Sequence, residues 1–158
     1  MVDDTPEQID TGIARRYETM MAVATKYNLV NDRLWEFVRF MQMGIDELRE
    51  ASQGAVGTDP LGSCAELFVR HDTLRTELEV ARVRYMSAES YYRGWSRFFM
   101  VPGGHIHASL SCKTCNRLGR DTAFTWLPHL SGRTEAEAVA EFGPVLCTVC
   151  FPSAPLYW

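Results

Sequence analysis

The chain has 158 residues and a net charge of −4, with 46% hydrophobic and 23% charged residues, ordinary values for one globular domain or two small ones. No apolar run approaches the roughly 20 residues that span a bilayer, which excludes a helical membrane protein. The polar, acidic start MVDDTPEQ lacks the basic and apolar regions of a secretory signal, so the sequence reads as cytoplasmic, with no membrane partner.

Charge is unevenly placed. Residues 1–92 hold 10 Lys/Arg and 16 Asp/Glu, whereas residues 93–158 hold 6 and 4. The second part is mildly basic, too little by itself to imply nucleic acid.

Residues 7–50 carry a helical period. Ile13, Met20, Tyr27, Leu34, Met41 and Leu48 are seven apart, and Tyr17, Ala24, Asn31, Val38 and Ile45 form a second series. Together they make the seam of a coiled coil or bundle. Asn31 is the one polar member: it either sets register or marks a break, since Asn28, Asn31 and Asp32 crowd there and suit the cap of a second helix. Residues 51–62, with three glycines and a proline, read as a loop. Ser63-Cys64-Ala65-Glu66 then reads as a capping box. Leu67, His71, Leu74, Leu78, Ala81, Tyr85, Ala88 and Tyr92 continue by fours and threes. His71 reads as a packed histidine and Cys64 as a passive small residue. Two seams joined by a short loop zip antiparallel. The longer first helix, on the order of 60 Å at 1.5 Å per residue, leaves part of itself free to fold back or to meet another chain, with a homodimer through residues 7–30 as the second case.

Residues 95–101 are aromatic and β-prone, Pro102-Gly103-Gly104 turns the chain, and 105–110 alternate as a return strand. Cys112-Lys113-Thr114-Cys115 follows. Thr122–Leu127 reads as a strand. Ser131 or Thr134 caps a helix through about Phe142, which Gly143 ends. Cys147-Thr148-Val149-Cys150 and an aromatic, proline-rich tail, FPSAPLYW, close the sequence.

Two C-x-x-C pairs in a reducing compartment favour metal over disulfide. A two-residue spacer lets one tight turn aim both sulfurs at one ion, and zinc accepts four thiolates tetrahedrally. The first-ranked set is Cys112, Cys115, Cys147 and Cys150, holding one structural Zn2+. His107, five residues before Cys112, is the rival ligand or a partner that hydrogen-bonds a ligand sulfur. A closed four-donor shell has no open position for water, which argues against hydrolysis.

The order His107, Cys112, an aromatic strand, the Glu135–Ala140 helix, Gly143 and Cys147-x-x-Cys150 resembles the zinc-binding domain of Ada-type DNA repair proteins. The resemblance covers residues 105–150 and implies that fold and a bound zinc. Cys115 is an added cysteine, and four residues separate His107 from Cys112 where the family has three, so no methyl transfer is carried over. The span from Gly94-Trp95-Ser96-Arg97-Phe98-Phe99 to Cys150-Phe151-Pro152-Ser153-Ala154-Pro155 is similar to a C-terminal Cys-rich module of uncharacterised actinobacterial and actinophage proteins. In architecture, a helical hairpin before a four-cysteine module is similar to transcription regulators of the DksA and TraR type.

The sequence therefore predicts an α+β chain. A long antiparallel helical hairpin occupies 1–93, with helices over about 7–50 and 64–93, and a small zinc-bound β-hairpin/helix module occupies 94–158. No G-x-S-x-G, P-loop, H-E-x-x-H or dinucleotide fingerprint is present, and a non-enzymatic role is expected. Arg93, Arg97, Lys113, Arg117 and Arg120, near Trp95, Phe98, Phe99 and Trp126, suit DNA or RNA, unless the aromatics form the module's core. A protein partner, host or phage, fits the unequal hairpin, the zinc head and the tail, and ranks first.

Overall fold

The computed structural model describes residues 4–115 and 122–156. The chain is α+β. Its helices are α1 (Pro6–Met41), α2 (Ile45–Ser52), α3 (Pro60–Glu89) and α4 (Glu135–Phe142), and its strands are β1 (Phe99–Met100), β2 (Ile106–His107) and β3 (Thr125–Trp126). No helix among the described residues is long and apolar enough to cross a membrane. Two compact units form. One is Arg16–Ser87, and the other joins Met1–Arg15 to Ala88–Trp158. The start of the chain thus groups with its end, a pairing that periodicity along the chain does not contain.

Within Arg16–Ser87, α1 and α3 run antiparallel. Tyr17 meets Tyr85 with ring centroids 5.7 Å apart, and Tyr27 meets His71 at 4.8 Å. The core holds Val30, Leu34, Leu48, Cys64, Phe68 and Leu74, flanked by Val23, Tyr27, Phe37, Val38 and Met41. The expected series through Tyr27, Leu34 and Met41 is present. In the second series, Val38 and Ile45 pack against the core, and Val23 and Val30 enter in place of Ala24 and Asn31. An α-helix drifts about 20° per heptad against a strict seven-residue repeat. Burying a valine gains roughly 1.5–3 kcal/mol, whereas a buried Asn31 amide would demand a partner.

The helix expected over 7–50 breaks, but at Gln42–Gly44 and not at Asn28–Asp32, through which α1 is continuous. Gln42 adopts φ 56°, the left-handed geometry that ends a helix. Unbroken, 44 residues would run about 66 Å beside about 45 Å of α3, leaving Leu48 in solvent. The break instead buries Leu48 completely. Helix α3 also starts earlier than the Ser63 cap implied. Asp59 takes that role, its Oδ1 accepting from the Gly62 amide at 2.7 Å, and Pro60 occupies the first helical position. Gly62 is buried, and a Cβ there would lie 2.6 Å from the Gly57 carbonyl oxygen.

Cys64 is fully buried and burial pushes its thiol pKa up, which fits a passive core residue. His71 is a packed histidine, with Nε2 3.1 Å from the Tyr27 hydroxyl and Nδ1 3.2 Å from Asp72. Arg49 donates to both Asp72 oxygens, at 2.7 and 3.3 Å. That guanidinium, against some burial and with help from His71, holds the Asp72 carboxyl down at about 2. A depressed carboxylate stabilises the fold above its unfolded pKa of about 3.9 and loses that contribution as pH falls through its folded value. Both side chains are more than one-third exposed, so the pair contributes on the order of 0.5 kcal/mol. The urea-midpoint difference between wild type and Asp72→Asn is expected to be small at pH 7 and to close as pH falls from about 4 to about 2. A difference that persists at pH 2 would assign the effect to packing.

In the other unit, the expected hairpin forms with its turn at 102–104. β1 pairs antiparallel with β2 (Phe99↔His107, Met100↔Ile106) and with β3 (Phe99↔Trp126, Met100↔Thr125), giving the order β2-β1-β3. The strands are shorter than 95–101, 105–110 and 122–127 because the ends serve other contacts. Trp95 and Arg97 bond to Asp10. Helix α4 matches its expected place. Thr134 Oγ1 accepts from the Glu137 amide, and the Glu137 carboxylate accepts from the Thr134 amide at 2.7 Å. Such a box is worth about 1 kcal/mol. Gly143 ends the helix at φ 47°. Ser131, the other candidate cap, donates to Asp10 at 2.6 Å.

Candidate metal centre

Three ligand-type side chains stand beside core residues in sequence. Phe98, Ile106, Leu130, Ala138, Leu146, Phe151 and Ala154 form the apolar core of this unit. Phe98 and Phe151 stack at 5.6 Å. Ile106 precedes His107, Leu146 precedes Cys147, and Phe151 follows Cys150. One step along extended backbone reverses the side chain's direction. Burying Ile106 and Leu146 therefore turns His107 and Cys147 towards the site, whereas Cys150 is placed by the turn that its amide closes on the Cys147 carbonyl.

Backbone bonds then join the pieces. Ile106 bridges Leu146 in parallel, and the Cys147 amide donates to the Ile106 carbonyl at 2.9 Å. This brings the second C-x-x-C beside β2. Each C-x-x-C is a tight turn: the Cys115 amide donates to the Cys112 carbonyl at 2.9 Å, and the Cys150 amide to the Cys147 carbonyl at 3.0 Å.

The ligand atoms of His107, Cys112, Cys147 and Cys150 all lie within 4.8 Å of one another. Cys112 Sγ is 4.0 Å from Cys147 Sγ, and Cys150 Sγ is 3.8 Å from His107 Nδ1. Ligands about 2.3 Å from a tetrahedral ion stand roughly 3.8 Å apart, so these spacings fit one cation. Three of the four residues are buried, Cys150 partly. The structure thus brings together Cys112, Cys147 and Cys150 from the all-cysteine set, with His107 as the fourth member. Cys115 lies beside this group, its sulfur 3.5 Å from Nε2 and 3.7 Å from Nδ1 of His107. His105, two residues before His107, is exposed.

The sulfurs do not ionise alike. Burial acts to raise the Cys112 pKa, but hydrogen bonds from the Thr114 hydroxyl and amide, with Cys150 and His107, bring it down to about 6. Burial, then the neighbouring charges of Cys112 and Cys147, push Cys150 up to about 12. Burial, with the same two neighbours, also raises Cys115. Crowded thiolates repel, and a dication among them removes the conflict. Thr114 Oγ1 lies 3.1 Å from Cys112 Sγ and 3.5 Å from Cys147 Sγ, a partner of ligand sulfurs that the sequence reading did not single out.

No protein-family model, curated protein or solved structure matches the chain.

The cations expected to suit nucleic acid do not share one environment. Arg97 is a correction: it is 9% exposed and paired with Asp10 and Glu89. Its guanidinium lies 3.5 Å from the Tyr92 ring centroid. Burial opposes its charge, but the bonds to Glu89 and Asp10 outweigh this and raise its pKa. Arg93 and Lys113 are exposed, and Arg117 and Arg120 lie outside the described residues. Of the aromatics, Phe98, Phe99 and Trp126 are buried, and the Trp95 indole N–H donates to Asp10 at 2.7 Å. In the tail, Phe151 and Ala154 are buried, whereas Tyr157 and Trp158 fall outside the described residues.

Proposed function

We propose that this chain is a non-enzymatic, zinc-stabilised interaction protein that binds a host or phage protein. Zinc suits the donors: three sulfurs and an imidazole at tetrahedral spacing favour zinc over hard, oxygen-seeking cations. The order His107, Cys112, then Cys147 and Cys150 after a short helix is also the order that the resemblance to Ada-type domains implies. Four protein donors close the shell, which suits a structural ion.

The observation that carries the binding role lies on α3. Val69, Thr73, Thr76, Val80 and Val83, spaced by fours and threes, are all exposed. They occupy the side opposite Leu74, Leu78 and Tyr85. Thr73 and Thr76 donate their hydroxyls to the carbonyls of Val69 and Asp72, at 2.9 and 3.0 Å, which satisfies the polar atoms and leaves methyl groups for contact. A helix apolar on opposite faces is one that is covered on both. A cavity of about 770 Å³, lined by Val23, Val80 and Ala81 among others, adjoins the stripe.

A Val80→Glu/Val83→Glu variant is expected to keep its metal and helicity and to lose the partner that wild type captures from its native host. Retention of that partner would remove the stripe from the reading, and sedimentation of the pure protein separates a second copy of the chain from a foreign partner. For DNA or RNA, the exposed Arg93 and Lys113 are the remaining described support. Affinity that falls steeply with salt favours that reading, and no binding at low salt removes it.

A further inference from the structure

Tetrahedral zinc takes four donors, and this unit offers five. Four form the mutual group, and Cys115 stands outside it, beside His107 and near Cys112. Its sulfur is nearly equidistant from the two ring nitrogens of His107, at 3.5 and 3.7 Å. That is the spacing of neighbouring ligands on one ion, about 3.6 Å for a sulfur and a nitrogen. Cys115 is half-buried, whereas Cys112 and Cys147 are buried.

A second observation gives this arrangement a direction. A cavity of about 500 Å³ opens beside the cluster, and its wall includes Cys115, His107 and Cys147 but neither Cys112 nor Cys150. Cys115 therefore stands where solvent meets the cluster, next to the one nitrogen donor. Thr114 and Thr148 flank the same opening.

Resting on the zinc reading above, we infer that Cys115 is an exchange donor, the group through which the ion enters and leaves. On release, the Cys115 sulfur bonds the ion as the His107 nitrogen lets go. The thiol proton passes to the freed imidazole, so no electron is transferred and charge balances. The ion then holds a sulfur on the cavity side, within reach of an outside acceptor. On loading, the order reverses, and His107 displaces Cys115 to complete the buried set. Zinc permits this because its filled d shell imposes no geometry and tolerates a fifth donor in passing.

The test uses the full chain loaded with cobalt(II) or zinc(II), and follows metal transfer to excess chelator in wild type, Cys115→Ser, Cys115→Ala and Cys115→His. Both small variants are expected to bind one ion, keep the visible cobalt spectrum of three sulfurs and one nitrogen, and release metal severalfold more slowly than wild type. Cys115→His, which restores a donor, is expected to recover most of the rate. Release as fast as wild type in both small variants would overturn the inference. So would a wild-type spectrum of four sulfurs that drops to three without Cys115, because Cys115 would then be a resident ligand. A wild-type chain that binds neither ion would overturn the zinc reading itself, and this inference with it.

Discussion

Cys147→Ser is expected to abolish stoichiometric metal binding and to unfold the unit that contains the metal centre. Cys147 is 5% exposed, its sulfur faces Cys112 and Thr114, and its amide ties the second C-x-x-C to β2. Structural zinc contributes on the order of 10–16 kcal/mol to folding small domains, against a total stability of roughly 5–15 kcal/mol. Without such an ion, a core of seven buried residues must hold three two-residue strands. Metal analysis should fall from one ion per chain to nearly none. Trp95 and Trp126 fluorescence should report exposure, and amide exchange should become fast over 95–115 and 122–156 while 16–87 keeps its protection. Chelation of wild type should give the same pattern. A protected, metal-free C-terminal region would refute the structural role.

Asp10→Ala is expected to cost about 3–5 kcal/mol, the range for breaking a buried ion pair from one side. Asp10 is fully buried. Its Oδ2 accepts from the Trp95 indole at 2.7 Å and from Ser131 at 2.6 Å. Its Oδ1 accepts from Arg97 Nε at 3.0 Å, and a second guanidinium nitrogen closes the ion pair at 2.8 Å. Truncation leaves Arg97 with Glu89 and strands two partly buried donors, the Trp95 indole and the Ser131 hydroxyl. For a unit of this size, that loss lowers the melting temperature by more than about 10 °C. Asp10→Asn, which keeps the shape and removes the charge, should fall between. Thermal melts followed by Trp95 fluorescence decide this, and a loss under about 1 kcal/mol would show that the anchor is dispensable. A fragment starting at Gly94 lacks Asp10 and should be less stable for the same reason.

These two effects differ in how far they could be read in advance. The C-x-x-C pairs are local signals, since two residues of spacing bring two sulfurs into one turn whatever surrounds them. The Thr134 cap, one of the two positions the sequence offered, and the Gly143 stop are equally local. Asp10 gave no such signal. Asp10 is the fifth residue of α1, past its first turn, and nothing near it in sequence names Arg97 or Trp95. Arg97, among aromatics and other cations, carried the pattern of a nucleic-acid contact. Only the fold shows it buried.

The ligand set divides in the same way. Residue types and spacing determined that this chain gathers sulfur donors at one place, and periodicity determined two long helices joined by a loop. Tertiary structure decided which members meet. β2 carries His107 into the group because Ile106 must enter the core beside it, while Cys115 ends its turn at the rim. It also decided that α1 breaks at Gln42–Gly44, where turning back buries Leu48, and that the first fifteen residues join the C-terminal unit. The physical reason is one of range. Turns, caps and helical faces are set by neighbours a few residues apart. The choice among five donors, and the partner of a buried carboxylate, depend on contacts across dozens of residues, which form only when burial of the core outweighs the entropy of closing the chain.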